Sequence, residues 1–185
     1  EVPNGTEYIF ADMFYGCSSL ASLPAGFRLP EVSKGDGCIF RRMFYGCSSL
    51  ESLPAGFSLP AVPEGTSYIF EMMFYGCSSL ESLPAGFSLP AVPKGTIYIF
   101  CDMFSGCSSL EADITGLISG PLMNTAQLNG TYNMCRTFYN CKKLTGSGNA
   151  AIATGFAGAT LYSPRSTFYD CTSLSDYPSI PPNWK

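Results

Sequence analysis

Apolar residues fall in pairs along this chain. Around Cys77 they stand at Ile69 and Phe70, then Met73 and Phe74, with polar or small residues between them. Read as helical spacing, this predicts one apolar stripe over about two turns. A Thr or Asp lies eleven residues before the cysteine in Thr6, Asp36, Thr66, Thr96 and Thr160, and one place later in Thr131. Its oxygen could cap the first turn. The residue just before the cysteine is Gly16, Gly46, Gly76, Gly106, Asn140 or Asp170, the types that enter the left-handed conformation at a helix end. A helix of about nine residues is therefore expected before each cysteine. After the cysteine, Leu recurs at the third position (Leu20, Leu50, Leu80, Leu110, Leu144, Leu174) and in three units at the sixth (Leu23, Leu53, Leu83). That L-x-x-L segment reads as a short strand ended by Pro24, Pro54 or Pro84. The following Gly-Phe-x-Leu-Pro, with Phe27, Phe57, Phe87, Leu29, Leu59 and Leu89 as anchors, reads as an extended return.

This unit repeats. Residues 41–70 and 71–100 differ only at Arg41/Glu71, Arg42/Met72, Glu64/Lys94 and Ser67/Ile97. The central residues Cys17, Cys47, Cys77, Cys107, Cys141 and Cys171 are spaced by 30, 30, 30, 34 and 30 residues. A period of this length means a unit that cannot bury its own apolar face and stacks on copies of itself. The expected fold is an α/β repeat, a leucine-rich-repeat-like solenoid of about six units of about 30 residues, each a short strand, an extended Leu-Pro return and a short helix. It is expected to be one domain over 1–185, regular over 1–110 and degenerate over 111–185, with Tyr177, Ile180 and Trp184 as lids on the last coil. Gly146 to Asn149 reads as a surface loop. The first ten residues match positions 61 to 70, which leads us to expect natural sequence before Glu1.

The motif MFYGCSSL after a short apolar segment resembles the BspA-type leucine-rich repeats of bacterial surface proteins, closely over 1–110 and in weakened form over 131–145 and 160–177. The 30-residue period, the doubled Leu-Pro and the stretches 112–130 and 145–159 depart from that family pattern. The resemblance implies export to the cell surface, a role in adhesion or macromolecular contact, and no catalytic residue.

Composition narrows the chemistry. The chain has no histidine, so no Ser-His or Cys-His pair can be built and the commonest general base is missing. With no C-x-x-C either, no metal site or cofactor is expected. A net charge of −4 without a large basic patch argues against nucleic acid, and Pro or Gly interrupts every apolar run well short of a membrane span.

Three sets of side chains remain as candidates. Glu51, Glu81 and Glu111 should form an acidic row, either a binding surface or solvated charges protecting a strand edge. Tyrosines recur nine residues before the cysteine (Tyr8, Tyr68, Tyr98, Tyr132, Tyr162) and two before it (Tyr15, Tyr45, Tyr75, Tyr139, Tyr169). On a helical wheel they face outward as contact groups; the alternative is rings tucked between coils. Lys34, Glu64 and Lys94 suggest a row of alternating charge between coils. The six central cysteines are expected as a ladder of buried thiols. Cys101 and Cys135 share one repeat position on the outward side of the helix, where stacked helices, 8 to 10 Å apart, would disfavour a bond; Cys38 replaces a Tyr as packing. The reading is a monomeric, non-catalytic surface module for a protein ligand, or alternatively a carbohydrate-binding module or accessory domain of a larger secreted protein, with an enzyme a distant third.

Overall fold

The computed structural model describes residues 7–32, 37–122, 132–156 and 165–185. Its coils stack in register one repeat apart, each numbered here by its central cysteine from Cys17 (coil 1) to Cys171 (coil 6). Among the described residues the expected nine-residue helix is absent. In its place is a run of linked turns.

In coil 2, Arg41, Met43, Tyr45 and Cys47 each donate their N–H to the carbonyl three residues back. The intervening Cys38, Phe40, Arg42, Phe44 and Gly46 donate instead to Ser67, Ile69, Glu71, Met73 and Tyr75 of coil 3, at 2.8–3.0 Å. Alternate amides thus close turns and bind the next coil. Every fourth residue is left-handed, as at Cys38 (φ 55), Arg42 (φ 52) and Gly46 (φ 71). Arg42 and Gly46 are the third residues of their turns, where a type II turn needs positive φ. For residues other than Gly this costs roughly 1–2 kcal/mol each, offset by a complete ladder of inter-coil hydrogen bonds. The apolar pairs therefore recur every four residues, a period that nearly matches a helix but breaks it at each left-handed step.

The capping reading of the threonines also changes. Thr66 and Thr96 are buried, and their hydroxyls donate to the carbonyls of Pro63 and Pro93 at 2.7 and 2.9 Å. Thr6, Asp36, Thr131 and Thr160 lie outside the described residues.

Stacking in register places identical side chains on one another. Phe14, Phe44, Phe74, Phe104, Phe138 and Phe168 form one column with ring centroids 5.2–6.0 Å apart. Phe10, Phe40, Phe70 and Phe100 form a second, at 5.8–5.9 Å. The return segments add Phe27, Phe57 and Phe87, whose rings meet the first column edge-on. Among the described residues the expected short strand is reduced to a narrow parallel ladder in the L-x-x-L segment: Glu81 donates to Glu51 and Glu111 to Glu81, with an isolated bridge at Ser52 and Ser82.

Among the described residues, α-helices occur only where the sequence looked irregular. In coil 4 the return becomes α1 (Ile114–Leu117), whose Leu117 carbonyl accepts from Leu89 of coil 3. In coil 5 it becomes α2 (Gly148–Gly155), capped by Ser147, so the expected loop at Gly146 to Asn149 is a helix start. A side chain on Gly148 or Gly155 would collide with Ile180 or Ile118, so these glycines set how closely α2 packs. Asp176 accepts from the N–H groups of Gly148 and Asn149 and from the Ser147 hydroxyl; although burial raises its pKa, these bonds hold it below the ordinary value.

At the C-terminal end the tail stands in for a seventh coil. Ser166 and Phe168 donate to Asn183 and Trp184, Asp170 donates to the Tyr177 hydroxyl, and the Trp184 ring stacks on Phe168. Ile180 and Trp184 are fully buried. Coil 1 differs: Ile9, Met13, Tyr8 and Tyr15 are about half exposed on its outer side, from 43% to 54%.

Candidate functional site

The acidic row exists as a geometric feature. Glu51, Glu81 and Glu111 are all exposed, and their backbones are joined by the inter-coil ladder that ends at Ala21 of coil 1. Like charges held at coil spacing repel unless solvent or a cation compensates. At one end Lys143 does so, its Nζ 2.7 Å from a Glu111 oxygen, and this bond lowers the Glu111 pKa. Serines flank the row at Ser22, Ser52 and Ser82, all exposed, giving a strip of carboxylates and hydroxyls. Beside its Glu111 end lies an open cleft of about 420 Å³ lined by Leu83, Pro84, Phe87, Glu111, Asp113 and Leu117. It forms because α1 replaces the Phe-containing return of coils 1 to 3.

The tyrosines do not stand outward on a helix. Tyr15, Tyr45 and Tyr75 are stacked face to face at 4.8 Å, and Tyr139 on Tyr169 at 4.6 Å. Tyr68, Tyr98 and Tyr132 form a second stack at 5.0 and 5.3 Å. Cys38 interrupts this row between Tyr8 and Tyr68, leaving a recess lined by those residues and Arg41. Within each stack the ring faces cover one another, so inner members such as Tyr45 and Tyr98 present edges and hydroxyls. Tyr8 and Tyr15, on coil 1, are exposed, and Arg42 lies over the Tyr15 ring. Tyr162 lies outside the described residues.

Charge pairing between coils falls at positions that differ between repeats. Arg41 pairs with Glu71, Arg42 with Asp12 at 2.9 Å, and Arg136 with the buried Asp102 at 3.1 Å. Sequence reasoning missed these pairs, although Arg41/Glu71 was visible as one of the four differences between near-identical repeats. The expected pairing of Glu64 with Lys94 is not among the described ion pairs, and Lys34 is outside the described residues.

Five of the central cysteines are buried, and each thiol donates to the carbonyl of a Phe in the preceding coil: Cys47 to Phe14, Cys77 to Phe44, Cys107 to Phe74, Cys141 to Phe104 and Cys171 to Phe138, at 2.9–3.2 Å. Burial pushes their pKa values up, to about 11 at Cys47 and about 12 at Cys171. Cys17, in coil 1, is the exception and is exposed. Alkylation of the native protein is therefore expected to label Cys17 while Cys47, Cys77, Cys107, Cys141 and Cys171 react only after denaturation. Mass mapping checks this, and native labelling of Cys107 would contradict the burial.

Two other features bear on chemistry. Among the described residues no cluster of three or more His, Cys, Asp or Glu could hold a metal ion, and no helix is long and apolar enough to cross a membrane. The repeat that builds this surface matches the family model described as the BspA type leucine rich repeat region (6 copies), over residues 1–115. The chain belongs to the BspA-type leucine-rich repeat family. No curated protein and no solved structure shows significant similarity to it. The match covers coils 1 to 3 and coil 4 as far as Thr115 in α1, so the acidic row from Glu51 to Glu111 lies wholly on family repeats.

Proposed function

We propose that this BspA-type repeat chain is a non-catalytic module of a bacterial cell surface, a single stack over 1–185 that binds a protein ligand along the Glu51, Glu81 and Glu111 row. The observation that carries this reading is the repetition of one exposed carboxylate in each of coils 2, 3 and 4, in fixed register, next to the cleft below Glu111. Such a row suits a partner presenting Lys or Arg at matching intervals. Each exposed contact contributes little, about 0–1 kcal/mol, so affinity accumulates over several coils. Carbohydrate binding has less support because sugars pack on aromatic faces, and here those faces are turned toward one another.

Binding of an extended oligolysine peptide and of neutral oligosaccharides tests the reading. The intact chain is expected to bind the peptide with an affinity that falls steeply with salt. Glu51→Gln, Glu81→Gln and Glu111→Gln together should abolish that binding without changing the thermal midpoint, while each alone weakens it severalfold. Salt-independent binding of a neutral oligosaccharide that survives the triple substitution would favour the carbohydrate reading instead.

A further inference from the structure

We propose that Cys101 and Cys135 are an oxidation site, at which a low-molecular-weight disulfide converts the two thiols into a disulfide that staples coil 4 to coil 5. The two residues occupy the same repeat position. With the helix gone, this position is stacked at the spacing of paired strands, about 4.7–4.9 Å, rather than the 8–10 Å of stacked helices. That spacing lies within the Cα separation a disulfide spans, about 4.4–6.8 Å. Register is fixed by the backbone, since Asp102 donates its N–H to the Cys135 carbonyl at 2.7 Å. The two thiols lie close enough in adjacent coils for each to shift the pKa of the other.

The same row joins coil 2 to coil 3 through the Arg41–Glu71 ion pair. Cys101 and Cys135 replace that charge pair by a pair of thiols at the next position in the row but one, where the repeat spacing changes from 30 to 34 residues. The central cysteine ladder offers no equivalent, because its buried thiols are each committed to a Phe carbonyl.

The surroundings divide the labour between the two sulfurs. Cys135 is partly exposed and Cys101 buried, so an external disulfide reaches Cys135 first. The neighbouring Cys101 thiol and the Arg136 guanidinium hold the Cys135 pKa below the ordinary cysteine value, which favours its thiolate. Its sulfur attacks one sulfur of oxidised glutathione, releasing one glutathione thiolate and leaving a mixed disulfide on Cys135. The Cys101 thiol already points at the Asp102 carboxylate, 3.4 Å away, which can take its proton. The freed Cys101 sulfur then attacks Cys135 Sγ and expels the second glutathione thiolate. Two protein thiols are oxidised, one external disulfide is reduced, and the two released thiolates take up the two protons.

Treatment of the reduced, native full chain with oxidised glutathione, followed by alkylation in denaturant and peptide mapping, tests the site. The expected product is a peptide pair joined through Cys101 and Cys135, absent in Cys135→Ser, with a thermal midpoint several degrees above that of the reduced protein. The mapping of the wild-type chain stands whether or not the variant folds. Recovery of both cysteines as free thiols, a glutathione adduct on Cys135 that never resolves, or a bond from either residue to a different cysteine would each overturn the proposal.

Discussion

Phe74→Ala is expected to destabilise the chain by about 3–5 kcal/mol, the usual range for emptying a buried aromatic site. The ring is fully buried, lies between Phe44 and Phe104 at 5.3 Å on either side, and meets Phe57 edge-on. Relaxation cannot close the hole cheaply, because the backbone of coil 3 is hydrogen-bonded into coil 4 at Phe74 itself and at Gly76, two residues on. Neighbouring Tyr75 provides the contrast: it is partly exposed and stacks on Tyr45, so Tyr75→Ala should cost about 0.5–1.5 kcal/mol, the range of one aromatic pair. Urea titration of the two variants checks the difference. Similar losses at both positions would mean that the Phe column carries no more of the stability than the tyrosine stack.

The residues that face the interior were legible because apolar identity repeats with the coil. Ile69, Phe70, Met73, Phe74, Cys77 and Leu80 are all fully buried. The backbone that carries them was not. Apolar pairs at four-residue spacing fit a helix nearly as well as a ribbon of turns, and the two differ in where alternate amides donate. The Gly, Asn or Asp before each central cysteine signalled one left-handed residue per coil, but Tyr68 and Met72 adopt the same conformation with side chains that ordinarily avoid it. Stacking in register overrides that local preference, since a coil that left these amides unpaired would bury several polar groups without partners. Once the ribbon replaces the helix, the placement of the tyrosines follows: ring columns at coil spacing, not outward anchors. The same change of spacing brings Cys101 and Cys135 together. On the acidic row the sequence was sufficient, because the L-x-x-L ladder keeps Glu51, Glu81 and Glu111 in register whatever precedes it. The Arg–carboxylate pairs were hidden in the few positions at which repeats differ, where comparison of coils shows variation but no geometry.

Trp184→Ala should cost a similar amount, about 3–5 kcal/mol, but the loss is expected to be local in a way that the Phe74 substitution is not. Trp184 stacks on Phe168 at 5.9 Å, packs against Phe156 at 4.8 Å, and is the residue whose carbonyl accepts from the Phe168 amide. In a stack where each coil contacts only its neighbours, stability is a sum of coil and interface contributions. Removing the lid therefore strips the last interface while leaving those between coils 2, 3 and 4 intact. Hydrogen exchange is expected to show early loss of protection at Ser166, Phe168 and the α2 segment, with Phe40, Phe70 and Phe100 still protected. Trp184→Phe should recover most of the protection, because a ring remains to end the column. Uniform deprotection of all coils would show instead that the stack unfolds as one unit. Deprotection of coil 1 alone would place the weak end at the exposed face of Ile9 and Met13, and Trp184 would then have no role in holding the last coil.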